Sequence, residues 1–102
     1  MKITISENNV KRGIREECAY CPTALAFFDA GYRNVRVTEE ITQGEKDNKL
    51  HYFMHSKELA KEIYDFDDGF DFRPGTYEVT ECSYEVAYSS PILYGNKEYI
   101  KG

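Results

Sequence analysis

Two segments of this chain are marked as helices by their own end residues, and the apolar period around them is that of strands. In "PTALAFFDAG", residues 22–31, Pro22 takes the first helical position, where its missing N–H is not needed. Gly31 follows the last turn, where a left-handed residue is wanted, and Leu25 and Phe28 stand at helical spacing for an inner face. In "SKELAKEIYDFDDG", residues 56–69, Ser56 caps the start, Glu58 lies in the first turn and Gly69 closes the end. Leu59, Ile63 and Phe66 form its apolar stripe. Ser6 predicts a third, shorter helix that carries Val10 and Ile14 inward and exits at Gly13.

The remaining apolar residues read as strands. "KITIS" (2–6) and "NVRVT" (34–38) alternate, "LHYFMH" (50–55) follows, and "GTYEVTECSYEVAYS" (75–89) is β-rich with Tyr77 and Val79 on one face. The polar stretch 39–49 reads as a loop or hairpin connection. Past Pro91, the Gly95-Asn96 turn predicts a closing hairpin of Ile92–Tyr94 with Glu98–Ile100. The element order argues for an α+β fold, a small mixed sheet with two or three short helices packed on one face. At 102 residues the chain is one domain, 1–102, with 83–102 as a C-terminal β extension. A hydrophobic share of 41% suffices for a core without metal or disulfides. The longest apolar run, residues 24–28, cannot span a membrane, and the charged start is no signal peptide. A cytoplasmic protein with reduced thiols is expected, and three cysteines are the wrong number for a disulfide framework.

The sharpest chemical question is Cys18-x-x-Cys21, directly ahead of Pro22. The spacing is that of half a tetrahedral zinc site, which Cys82 and His55 would complete. His51 and His55 cannot both bind one ion from a strand, because four residues there span about 13 Å. A thiol-redox reading places the pair at a helix start, where the dipole lowers a thiol's pKa, but Pro22 follows the pair rather than lying inside it. The residues favour a plainer account, two small buried side chains at a close-packed helix start. No cofactor is implied beyond zinc for the first of these readings.

Charge is uneven. Between residues 56 and 85 nine acids face three bases, within a chain of net charge −5. Such a surface disfavours phosphate backbones, so direct nucleic-acid binding is not expected. "DFDDGFD", 65–71, fails the calcium-loop pattern at three positions, since its fifth, sixth and twelfth residues are Gly69, Phe70 and Thr76. No nucleophile–base constellation and no phosphate-binding glycine loop is present, so the chain is not expected to be an enzyme. Seven of nine tyrosines follow residue 50, and tyrosine with acid is the composition of a surface that docks on a basic partner. The expected contact residues are Asp65, Asp67, Asp68, Asp71, Tyr77, Glu78, Glu81, Tyr84 and Glu85.

Gly13, Cys18, Cys21, Pro22, Ala24, Ala26, Gly31, Phe66, Asp67 and Gly69 together resemble a group of small uncharacterised bacteriophage and bacterial proteins. That group shares a Cys-x-x-Cys-Pro-x-Ala-x-Ala helix start, and the resemblance covers residues 2–79. The resemblance implies a phage-type origin and no particular activity; together with the acidic, tyrosine-rich surface it leads to the expectation of a non-enzymatic protein that binds a host protein with a basic surface. An inhibitor of a nucleic-acid-targeting defence, in the manner of anti-CRISPR proteins, fits this expectation.

Overall fold

The computed structural model describes residues 1–89. Its elements run β1 (Lys2–Ile5), α1 (Glu7–Arg12), α2 (Pro22–Asp29), β2 (Arg33–Val37), β3 (Ile41–Lys46), β4 (Lys49–His55), α3 (Lys57–Asp67), β5 (Gly75–Cys82) and α4 (Tyr84–Ser89). The five strands form one sheet in the order β1-β5-β4-β3-β2. The class is α+β, as expected, but every pairing is antiparallel where a mixed sheet was expected.

The helix signals act as the sequence implies. Ser6 Oγ accepts from the Asn9 N–H, while the Asn9 side chain accepts from the Ser6 N–H, which closes a capping box on α1. Asn9 is buried and its amide donates to Asp29 at 2.9 Å, tying α1 to the end of α2. Ser56 caps α3 by accepting from the Leu59 N–H. Gly13 is more than an exit from α1. A Cβ there would lie 2.5 Å from Pro22 Cδ and 2.7 Å from Pro22 N, so α1 and α2 approach only because position 13 has no side chain.

Strand alternation divides the sheet into two faces. Toward α1, α2 and α3 point Ile3, Ile5, Val35, Val37, Phe53, Tyr77 and Val79, which join Phe27, Leu59, Ile63 and Phe66 in the main core. The α3 stripe is the expected one. On α2 the inner residues are Thr23, Ala24, Ala26 and Phe27, whereas Phe28 is 52% exposed and Leu25 half-buried. The expected Leu25/Phe28 face is therefore rotated by about one position. Ile14 lies outside α1 and is exposed, while Val10 packs on the core.

The second face carries a small cluster of Ile41 and Ala87 with Tyr52, Met54, Cys82 and Tyr88 packed around them. Here α4 covers β3, β4 and β5, so the helices lie on both faces, not one. Residues 84–89 are helical where the strand reading ran on to 89 and opened a β extension at 83. "YEVAY" alternates like a strand, but its Ala87 and Tyr88 seat on the sheet and Ser83 Oγ accepts the Val86 N–H at the first turn. The predicted hairpin of residues 92–100 lies outside the described residues.

Residues 41–46 form a strand where a loop or connection was expected. β3 and β4 make a hairpin turned by Asp47 and Asn48, with φ of 54° and 62°, as a two-residue hairpin with right-handed strand twist requires. Gly44 admits Tyr32 over the sheet, since a Cβ would stand 3.3 Å from Tyr32 Cβ.

Candidate functional site

The segment 13–21 is pinned between two elements that are far apart in sequence. Arg15 lies over the Phe66 ring, with its guanidinium carbon 4.3 Å from the centroid, and donates to the carbonyls of Phe66 and, at 2.8 Å, Phe70. It thus ties this segment to the backbone at and just past the end of α3. The Glu16 N–H donates to Asp67 Oδ1 at 2.8 Å, with Glu16 held at φ 62°. At the other side, the Cys18 carbonyl accepts from the Val37 N–H at 2.8 Å. The cysteine segment is therefore a strap from α3 to the outer edge of β2. Asp67, an acid at the unfavourable end of a helix, is explained by this hydrogen bond without any partner.

Cys18 is exposed, and Cys21 is buried at the N-terminus of α2, its thiol making no cap bond. Both line a cleft of about 260 Å³ with Glu16, Glu17, Val37, Ile63 and Asp67. Burial pushes the Cys21 thiol up to about 11, against the smaller pull of the Ala24 and Thr23 amides. Cys21 is 6% exposed within the main core cluster, and the shift is the reverse of the one a redox nucleophile needs.

The four expected zinc ligands are not brought together. Cys82 packs in the small cluster on the α4 face, while Cys21 belongs to the main core on the other. His55 spends both ring nitrogens elsewhere. Nδ1 donates to the Glu39 carbonyl at 2.9 Å, and Nε2 accepts from the Thr42 hydroxyl at 2.6 Å, the tautomer that this pair of partners requires. Burial lowers its pKa to about 4, and the Glu39 carbonyl opposes this only in part. No group of three or more His, Cys, Asp and Glu that could hold a metal ion occurs among the described residues.

The nine expected contact residues do not form one face. Tyr77 is core, its hydroxyl donating to the Arg73 carbonyl. Asp65 is paired with Lys61 at 2.6 Å, Asp67 holds the strap, and Glu78 lies near the Met1 amine and Lys2. Glu81 accepts from His51 at 2.7 Å, and Tyr84 packs its ring against Tyr52 and Tyr88. Glu85 is exposed on α4. Asp68 and Asp71 are exposed and have no ion-pair partner among the described residues. Beside them stand two exposed rings, Tyr64, a member of the acidic tyrosine-rich half though not of the nine, and Phe70, which is 62% exposed and was not expected. The spacing Tyr64-x-x-x-Asp68 places both on one side of α3, away from Leu59, Ile63 and Phe66.

A second surface was not anticipated. α2 and β2, the outermost strand, border a groove of about 420 Å³ lined by Ala19, Tyr20, Ala24, Leu25, Phe28, Asn34, Val35 and Arg36. Among the described residues no helix is long and apolar enough to cross a membrane. Comparison with protein-family models, with curated proteins and with solved structures found no match to this chain.

Proposed function

We propose that this chain is a non-enzymatic binding protein of bacteriophage type. Its acidic, aromatic end of α3 docks on a basic surface of a host protein in the cytoplasm, with nucleic-acid-targeting defence components as the target class. The observation that supports this reading is the pairing of Tyr64 and Phe70, both more than half exposed, with the unpaired carboxylates of Asp68 and Asp71. Exposed rings beside unscreened acids are costly on a free surface, and a cationic partner relieves both costs at once. The contact set is narrower than the nine residues first expected, because Tyr77, Asp65 and Asp67 serve the fold.

The experiment places a photo-crosslinking residue at position 70 in the full chain and expresses it in bacterial cells. One dominant protein adduct is expected. It disappears in the Asp68→Lys/Asp71→Lys variant, with the melting temperature retained, and weakens as salt is raised. An adduct that survives the charge reversal overturns the proposal.

A further inference from the structure

We infer that the groove between α2 and β2 is a second binding site, which takes an extended peptide as an added strand on β2, with an apolar residue followed directly by an acidic one. This surface is separate from the end of α3 and goes beyond that reading.

Three observations converge. The first is the strand edge. β2 ends the sheet and pairs with β3 alone, so its other side offers backbone groups. The Val37 N–H points out of that side into the Cys18 carbonyl. Arg36 is in register with Gln43 on β3, so the peptide linking Val35 to Arg36 turns the Val35 carbonyl outward beside the groove, next to the break in register between Arg33 and Arg36. The strap already shows that a chain segment pairs on this edge, and it occupies only one end.

The second is the shape and chemistry of the groove. Its floor is Ala24, Leu25 and Val35, with the exposed rings of Tyr20 and Phe28 rising beside it. An edge strand flanked by a helix with an apolar gap between them is the arrangement that binds peptides by strand addition.

The third is charge. In a chain of net charge −5 no acidic residue lines the groove, and Arg36 borders it. Arg33 lies over the Phe28 ring, 4.6 Å from its centroid. Neither arginine has an ion-pair partner among the described residues. Alternation then fixes the motif. Val35 faces α2 and Arg36 faces the other side, opposite Gln43 on β3. A peptide residue beside Val35 drops into the groove, and the next residue pairs across strands with Arg36, which calls for a carboxylate.

The test is selection of a displayed library of random octapeptides on the full-length protein, followed by binding measurements on synthetic versions. Peptides with an apolar–acidic step are expected. They should lose at least tenfold in affinity against Arg36→Glu and recover when their acid is exchanged for lysine. Phe28→Asp should weaken them independently, and amide shifts on binding should centre on Val35 and Arg36. No enrichment, or equal binding to Arg36→Glu, overturns the inference. So does displacement by ATP with shifts at Tyr20 and Phe28, which would make the groove a nucleotide site. Shifts centred on residues 64–71 would likewise overturn it, while leaving the α3 proposal standing.

Discussion

The two faces of the sheet are secured differently. The face under α1, α2 and α3 holds sixteen buried residues in one cluster, with Phe27 and Phe53 at 0% exposure and their rings 5.3 Å apart. The face under α4 has two fully covered residues, Ile41 and Ala87, with aromatic rings leaning on them. The first face carries the fold, and the second is closer to a docked surface. Both proposed binding surfaces lie at the margins of the first, where α3 ends and where β2 leaves the sheet. The proposed contacts thus fall where the packed face runs out: Tyr64, Asp68, Phe70, Asp71, Phe28 and Arg36 are exposed, and only the groove floor, Ala24 and Val35, is shared with the core.

The largest expected effect breaks this comparison if it is wrong. Phe53→Ala on the covered face should cost about 3–5 kcal/mol, as deletion of a fully buried ring does. Tyr88→Ala on the α4 face should cost less, about 1–2 kcal/mol, because that side chain is half-buried and gives up its hydroxyl bond to Gln43 and its ring contacts with Tyr52 and Tyr84. Urea unfolding measures both. Equal losses would mean that α4 belongs to a single two-sided core.

Acid should act on one face only. His55 shares a face with Phe53 and carries a ring held neutral by burial, with a folded-state pKa of about 4 against the ordinary 6.5. Its folded value lies below its unfolded one, so the neutral ring stabilises fully above pH 6.5, and that stability is lost as pH falls toward 4. Between pH 7 and 4.5 this amounts to about 2 kcal/mol. His55→Gln, which keeps a donor and an acceptor for the Glu39 carbonyl and Thr42, should flatten the profile by that amount. An unchanged profile would place the acid sensitivity among the carboxylates.

What was legible in the sequence follows from which interactions are local. The caps at Ser6 and Ser56, the Pro22 start and the Leu59/Ile63/Phe66 stripe are properties of a few consecutive residues, and they emerge as read. β3 was hidden because its inward positions, Thr42 and Gly44, are polar or absent as side chains. Thr42 is there for His55 and Gly44 for Tyr32, both set by tertiary contact. α4 was misread because Tyr84, Val86 and Tyr88 alternate, while the residue that seats the helix is Ala87. The acidic residues were legible as a composition and illegible as a surface. Nothing local says that Asp67 bonds to the backbone of Glu16, fifty-one residues away. The groove was missed for the same reason, since its walls come from three separate stretches of chain.

The smallest expected effect concerns the one flaw in the well-packed face. Thr23, in the first turn of α2, has 0% exposure, and its hydroxyl has no hydrogen-bond partner among the described residues. A buried hydroxyl left unpaired costs about 1–3 kcal/mol relative to a satisfied one, and valine has nearly the same shape without the polar atom. The two residues have similar helix propensities, so the backbone is indifferent to the exchange. Thr23→Val should therefore stabilise the protein by about 1 kcal/mol, raising the urea midpoint with an unchanged slope. A matching exchange at Thr42, whose hydroxyl donates to His55, should destabilise instead, because it strands the imidazole. The opposite signs of two chemically identical changes on the same face would show that this core tolerates polar groups only where a partner meets them. If Thr23→Val destabilises, its hydroxyl is satisfied by an enclosed water, and the covered face is wetter at the start of α2 than its packing implies.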